Sequence, residues 1–119
     1  MTAAFAAAWV DAWNHRDLDA ILSHYAVDVL FTSPFVAQLL GDPAGVVRGR
    51  DALRAYFAAG LARFPDLHFR LRHVLPGVNG VVLVYDSVAG LLAAEAFEFD
   101  AAGRVCRAAC HYAPAEAAP

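Results

Sequence analysis

Between residues 67 and 112 apolar and polar side chains alternate in four runs, 67–75, 80–89, 92–100 and 104–112. Asn79-Gly80 and the stretch from Asp100 to Gly103 supply turn signals between runs. Side chains of a strand point alternately to the two faces of its sheet, so runs joined by tight turns predict an antiparallel meander. The 80–89 run is apolar on both sides: Val81, Leu83, Tyr85 and Ser87 on one, Val82, Val84 and Val88 on the other. A strand of that kind needs cover on both faces.

The preceding half reads as helix. Thr2 can cap a first helix through Asn14, on which Phe5, Trp9, Ala12 and Trp13 recur at helical spacing. Asn14-His15-Arg16 breaks the pattern, and Asp17 is an N-cap for a short helix over 17–26 with Leu18, Ile21, Leu22 and Tyr25 on its apolar face. A strand follows at 28–33, with Val29, Phe31 and Ser33 on one face before Pro34 stops the ladder. A third helix spans 51–63 and ends at Phe64-Pro65. The connection 34–49 is apolar as well as rich in Pro and Gly, and two readings stay open: a cover over an opening, or a hairpin or short helix packed on the surface. Helices followed by a meander define an α+β fold. Three helices can cover one sheet face, and a second copy of the chain is the simplest cover for the other.

At 119 residues the chain is read as one domain, 1–119, with a fraying tail at 113–119. Twenty-seven residues are Ala, so the eight Phe, four Tyr and two Trp supply most of the bulk for a core. The net charge is −3 and there is no Lys, which excludes Schiff-base chemistry. No dense basic patch argues for a nucleic-acid partner; Arg70, Arg72 and His73 read as a solvated strand face. The N-terminus lacks a basic leader and no apolar run reaches the ~20 residues that span a bilayer, so no membrane partner and a cytoplasmic location are expected. The five His residues lack metal-ligand spacing, and phosphate-loop, dinucleotide and paired-Cys motifs are missing, so neither metal nor cofactor is expected. Cys106 and Cys110 lie four apart on one strand, ~13 Å between Cα atoms, too far for a disulfide; they read as two small core thiols.

Glu95 is the residue that departs from pattern. It shares a face with Phe97 and Phe99, whereas Glu98 and Asp100 occupy the other. With a turn at Asp100–Gly103, Phe99 opposes Arg104 and Glu95 opposes Ala108, and the same face carries Cys106, Cys110 and Tyr112, while Arg107 falls beside Glu98. A carboxyl buried without a cation has a raised pKa and can act as acid or acid–base near neutral pH. The other reading is a wet rim, or a hydrogen bond to a Trp or Tyr. Trp9, Trp13, Tyr25, Tyr56, Tyr85 and Tyr112 have polar tips on faces that can converge; they are either core or the wall of a cavity, with Phe31, Ser33, Phe97 and Ala108 beside them. Such a cavity suits a small apolar ligand with a carbonyl or hydroxyl. Asp86 and His111 fall on the other face and are assigned to a subunit interface.

The segments WVDAWNHRDLDAILSHYAVDVLFTSP, VRGRDALRAYF and AFEFDAAGRV resemble the nuclear-transport-factor-2-like superfamily, in its SnoaL-like and ketosteroid-isomerase-like branch, over nearly the whole chain. The resemblance implies a cone: a curved antiparallel sheet wrapped round three helices, a pocket at the open end, and a homodimer through the convex sheet face. It also implies positions. In the steroid isomerases of this superfamily a Tyr on the first helix and an acid on a late strand bind the developing oxyanion, and a carboxylate ending the first strand moves the proton. Here those positions fall on Trp9, Glu95 and Ser33, so the acid alone is kept in kind. The Ser33 hydroxyl stays protonated near neutral pH and is assigned to the pocket wall, orienting the ligand together with Tyr56. The expected function is cofactor-free acid–base isomerisation, cyclisation or dehydration of an apolar carbonyl compound, with Glu95 as acid or acid–base and His24 or a Tyr as helper. The alternative is a non-catalytic ligand-binding or dimeric interaction module of the same fold.

Overall fold

The computed structural model describes residues 2–113; the remainder of the expected tail lies outside the described residues, and Ala113 itself belongs to the last strand. The elements are α1 (Thr2–Asn14), α2 (Leu18–Leu22), β1 (Tyr25–Thr32), α3 (Pro34–Leu40), β2 (Val46–Arg48), α4 (Arg50–Arg63), β3 (Arg70–Pro76), β4 (Gly80–Asp86), β5 (Leu92–Phe99) and β6 (Val105–Ala113). One six-stranded sheet has the order β2-β1-β6-β5-β4-β3. The meander β3 to β6 is antiparallel as the alternation predicts. The β1–β6 pair is parallel, so the sheet is not purely antiparallel. Alternation encodes which side chains share a face, not which way a distant strand runs.

Among the described residues the α-helices number four rather than three, because the 34–49 connection contains α3 and β2. The local chemistry is explicit. Ser33 is the N-cap, its Oγ accepting from the Phe35 N–H at 3.2 Å; Pro34 occupies the first turn; Gly41 closes the C-terminus at φ 72° with its N–H on the Ala37 carbonyl. β2 then pairs antiparallel with β1 through Leu30–Arg48, Phe31–Val47 and Thr32–Val46.

Element boundaries move where tertiary bonds override local pattern. Tyr25 is the first residue of β1, not part of the short helix, because it pairs with Val105 and the Val105 N–H donates to the His24 carbonyl. The 67–75 run enters the sheet only at Arg70. Just before it, the Asn14 side chain takes the place of a neighbouring strand: Asn14 Nδ2 donates to the Phe69 carbonyl at 2.9 Å and the Phe69 N–H donates to Asn14 Oδ1 at 2.7 Å. The 80–89 run stops at Asp86, since the chain turns back through Ser87 and Leu91 with Ala89 at φ 55°. Arg70 and Arg72 both pair with Asp86 on the exposed face, at 3.1 and 2.8 Å.

The β5–β6 register differs from the expected one and moves Glu95's neighbours. The turn closes as Asp100 N–H to Arg104 C=O, which sets Phe99 opposite Val105; Cys106 is then an extra residue, and Glu98 meets Arg107, Phe97 meets Ala108 and Glu95 meets Cys110. The bulge turns Cys106 off the inner face, its thiol donating to the Glu98 carbonyl, and only Cys110 is buried in the core.

Trp9 organises that core from α1. Its ring stacks on Phe69 at 5.6 Å and meets the edges of Tyr85 and Phe97 at 5.2 and 5.3 Å. Such pairs each contribute about 1 kcal/mol beyond the area they bury. Arg16, itself at φ 55°, donates to the Leu61, Phe64 and Pro65 carbonyls and so ties the end of α4 to α1.

Candidate functional site

Strand alternation on β5 turns Ala93, Glu95 and Phe97 inward, and Glu95 is 3 % exposed. Its paired neighbours are Leu83 on β4 and Cys110 on β6. No Arg or His approaches it within ion-pair distance among the described residues. The Tyr85 hydroxyl donates to Glu95 Oε1 at 2.7 Å and lies 3.7 Å from Cys110 Sγ. Burial pushes the Glu95 pKa up to about 7, with the hydrogen bonds from Tyr85 and Cys110 pulling it partly back.

The surrounding groups move the other way from usefulness as ions. Burial raises the Cys110 thiol and the Tyr112, Tyr85 and Tyr25 phenols well above their ordinary values, and Tyr56 is pushed up to about 12 with the Ser33 hydroxyl offsetting part of the burial. All of them stay protonated at neutral pH. Glu95 is the group of this cluster whose proton can come and go there, set among neutral donors.

Glu95 lies in the wall of a cavity of about 60 Å³. Trp9, Trp13, Phe31, Tyr56, Tyr85 and Tyr112, all singled out in the sequence, line it with Glu95. Phe35 and Leu39 of α3 form part of the same wall. The connection that offered a choice between cover and packed helix thus contains a short helix, two of whose side chains line the cavity. Phe64, Leu67, Ser87 and Val88 line both this cavity and an adjoining depression bordered by Arg63, Asp66 and His68.

Four expected wall residues do not line the cavity. Tyr25 is fully buried and its hydroxyl accepts from Trp9 Nε1 at 3.0 Å. Ser33 is turned to capping α3. Phe97 packs its ring on Phe5 and Trp9, and Ala108 is covered between Phe31 and Phe97, its partners on the adjacent strands. His24 is also removed from Glu95: its ring meets the edge of Phe5 and borders a separate depression with Ala8 and His15. The Trp9 position, which the family resemblance assigns to oxyanion binding, has already committed its N–H to Tyr25; Tyr85 is the donor that reaches Glu95. Pairing alone could have found it, since Tyr85 is the inward residue next to Glu95's partner Leu83.

Among the described residues no group of three or more His, Cys, Asp or Glu stands close enough to hold a metal ion. No helix among them is long and apolar enough to cross a membrane.

The comparisons agree with this architecture. A SnoaL-like protein of unknown function from Burkholderia thailandensis is 43% identical over 95% of this chain and 94% of its own, with a TM-score of 0.91. An NTF2-like protein of unknown function from Cytophaga hutchinsonii superposes with a TM-score of 0.73 at 14% identity, covering 96% of this chain and 91% of its own. A Kribbella flavida protein, provisionally called a ketosteroid isomerase, reaches 0.76 at 19% identity over 99% and 82% of the two chains. At those identities the second and third establish the fold alone. A comparison with curated proteins finds no match. The profile of the SnoaL-like domain matches residues 6–112, and the chain belongs to that family.

Proposed function

We propose that the protein catalyses an acid–base reaction, an isomerisation, cyclisation or dehydration, on a small apolar carbonyl compound, with Glu95 exchanging the proton. The observation that carries this reading is the pairing of a buried carboxyl of pKa about 7 with a neutral donor, Tyr85, in an aromatic cavity wall. A base near neutrality removes a proton α to a carbonyl and returns it as an acid without a further ion. The cavity, about 60 Å³, is smaller than the roughly 150 Å³ that admits benzene in an engineered core. The bound part is therefore compact: a short ketone or aldehyde, or the carbonyl end of a molecule whose remainder lies past Phe64 and Val88, in the adjoining depression.

The test is exchange of the α-protons of short ketones in D₂O, followed by proton NMR with the native protein and with Glu95→Gln. Catalysed exchange in the native protein that disappears in the variant supports the reading. Equal rates in both would remove Glu95 from the chemistry.

The narrowness of the cavity favours one other reading, a cone filled by its own aromatics and acting through its surface. We further propose a homodimer through the outer sheet face, on which Val82 and Val84 remain half-buried in the isolated chain. A monomer mass by light scattering would overturn that assignment.

A further inference from the structure

The two tryptophans of α1 line the same cavity but differ in one respect. Trp9 Nε1 donates to the Tyr25 hydroxyl at 3.0 Å. Trp13 Nε1 is buried and has no hydrogen-bond partner among the described residues; no other buried side-chain nitrogen or oxygen among them shares that state. The Trp13 side chain is held firmly. It is 6 % exposed, with the Phe57 ring at 4.8 Å and the Phe69 ring at 5.4 Å. Phe69 in turn meets Tyr85, the donor to Glu95, at 4.8 Å. Trp13 and the Tyr85–Glu95 pair are thus connected through the Phe69 ring and line one cavity. An indole N–H only donates, and burying it without an acceptor is costly. Buried polar groups left without a protein partner are rare and call for an explanation, and a site built to hydrogen-bond a ligand is one that leaves such a group unpaired until the ligand arrives.

We propose that Trp13 is a ligand-binding residue whose Nε1–H takes a hydrogen-bond acceptor of the molecule occupying the cavity. The proposal rests on the cavity being a carbonyl site and deepens it by naming what the ligand must present. A carbonyl or ether oxygen satisfies the indole, a hydrocarbon of the same shape leaves it orphaned, and an ammonium group turns a donor toward a donor. Specificity then follows from what the wrong ligand fails to satisfy rather than from size alone.

The experiment uses 2-butanone and its near-isostere 2-methyl-1-butene, in which a methylene replaces the oxygen, with ¹⁵N-labelled native protein. The two indole N–H resonances are assigned with Trp13→Phe. The expected result is a saturable downfield shift of the Trp13 resonance with the ketone and none with the alkene, while the Trp9 resonance stays close to its place. Trp13→Phe weakens ketone binding about tenfold and leaves alkene binding nearly unchanged. The shift is read in the native protein, so it stands even if the variant folds poorly. Ketone binding that moves the Gly60 amide in the cavity wall without moving Trp13 overturns the proposal, and so does the absence of any ketone binding. Glu95→Gln separates the two readings: the Trp13 shift persists there when α-proton exchange is lost. A native protein that shows the shift but catalyses no exchange would refute the catalytic role of Glu95 and leave Trp13 as a binding residue.

Discussion

Tyr85 Oη stands 2.7 Å from Glu95 Oε1 across strands β4 and β5, a diagonal contact created because Glu95 pairs with Leu83 and Tyr85 is the next inward residue. The hydrogen bond favours the ionised carboxyl and opposes the effect of burial. Tyr85→Phe therefore raises the Glu95 pKa beyond its native value of about 7 and costs roughly 1 kcal/mol of stability. Infrared spectroscopy of the protonated carboxyl band checks this: the band persists to higher pH in the variant. A band lost at the same pH in both proteins would mean that Tyr85 does not hold the carboxylate.

Glu95 also makes stability depend on pH, with a definite sign. An unfolded chain loses the Glu95 proton near 4.5, whereas the folded protein keeps it until about 7. Between those values the native state binds the extra proton, so stability falls as pH rises through the window and is level above it. The total loss is roughly 3 kcal/mol. Glu95→Gln removes it. Urea unfolding is expected to find the variant close to native stability at about pH 4 and more stable than the native protein at about pH 8. Parallel pH dependences would show that the folded carboxyl ionises as freely as in the unfolded chain.

Ser33 is a structural residue on this account. Ser33→Ala removes the α3 cap and destabilises the protein by about 1 kcal/mol in denaturant titrations. The Glu95 titration stays in place, because Ser33 is not part of the wall that holds it. A displaced Glu95 midpoint in this variant would return Ser33 to the site.

The Asn14 side chain bridges α1 to the Phe69 backbone through two hydrogen bonds, and the Phe69 ring touches both Trp13 and Tyr85. Asn14→Ala leaves both Phe69 backbone groups without their partner and costs about 2 kcal/mol. Hydrogen exchange at the Phe69 amide is expected to speed up ahead of the rest of the sheet. Unchanged protection of that amide would show that the clasp is redundant.

Much of this architecture is legible in the sequence, and the parts that are not have identifiable causes. The stripe of Phe5, Trp9, Ala12 and Trp13 and the alternation around Tyr85 and Glu95 are strong periodic signals with bulky residues, so the helix and the meander follow from them directly. α3 carried its own signals, Ser33-Pro34 at the start and Gly41 at the end, but at seven residues it is too short for periodicity to outweigh the Gly and Pro around it. The Cys106 bulge leaves no mark in the alternation; together with a turn that sets Phe99 opposite Val105 rather than Arg104, it exchanges Ala108 for Cys110 opposite Glu95. Neither the parallel pairing of β1 with β6 nor the Asn14 clasp on Phe69 has a local cause; both depend on contacts between residues far apart in the chain. The inward placement of Glu95 could be read because it broke the polar-out rule, whereas the unpartnered state of Trp13 becomes visible only once every neighbour is in place.

The most direct test is a ¹³C NMR titration of the Glu95 side-chain carboxyl in the native protein, assigned against Glu95→Gln. The midpoint is expected at about 7, with the neighbouring Tyr85 resonances moving through the same transition. A midpoint near 4.5, the ordinary value for the side chain, would contradict the account, because such a carboxyl would be a plain anion at neutral pH with no proton to exchange.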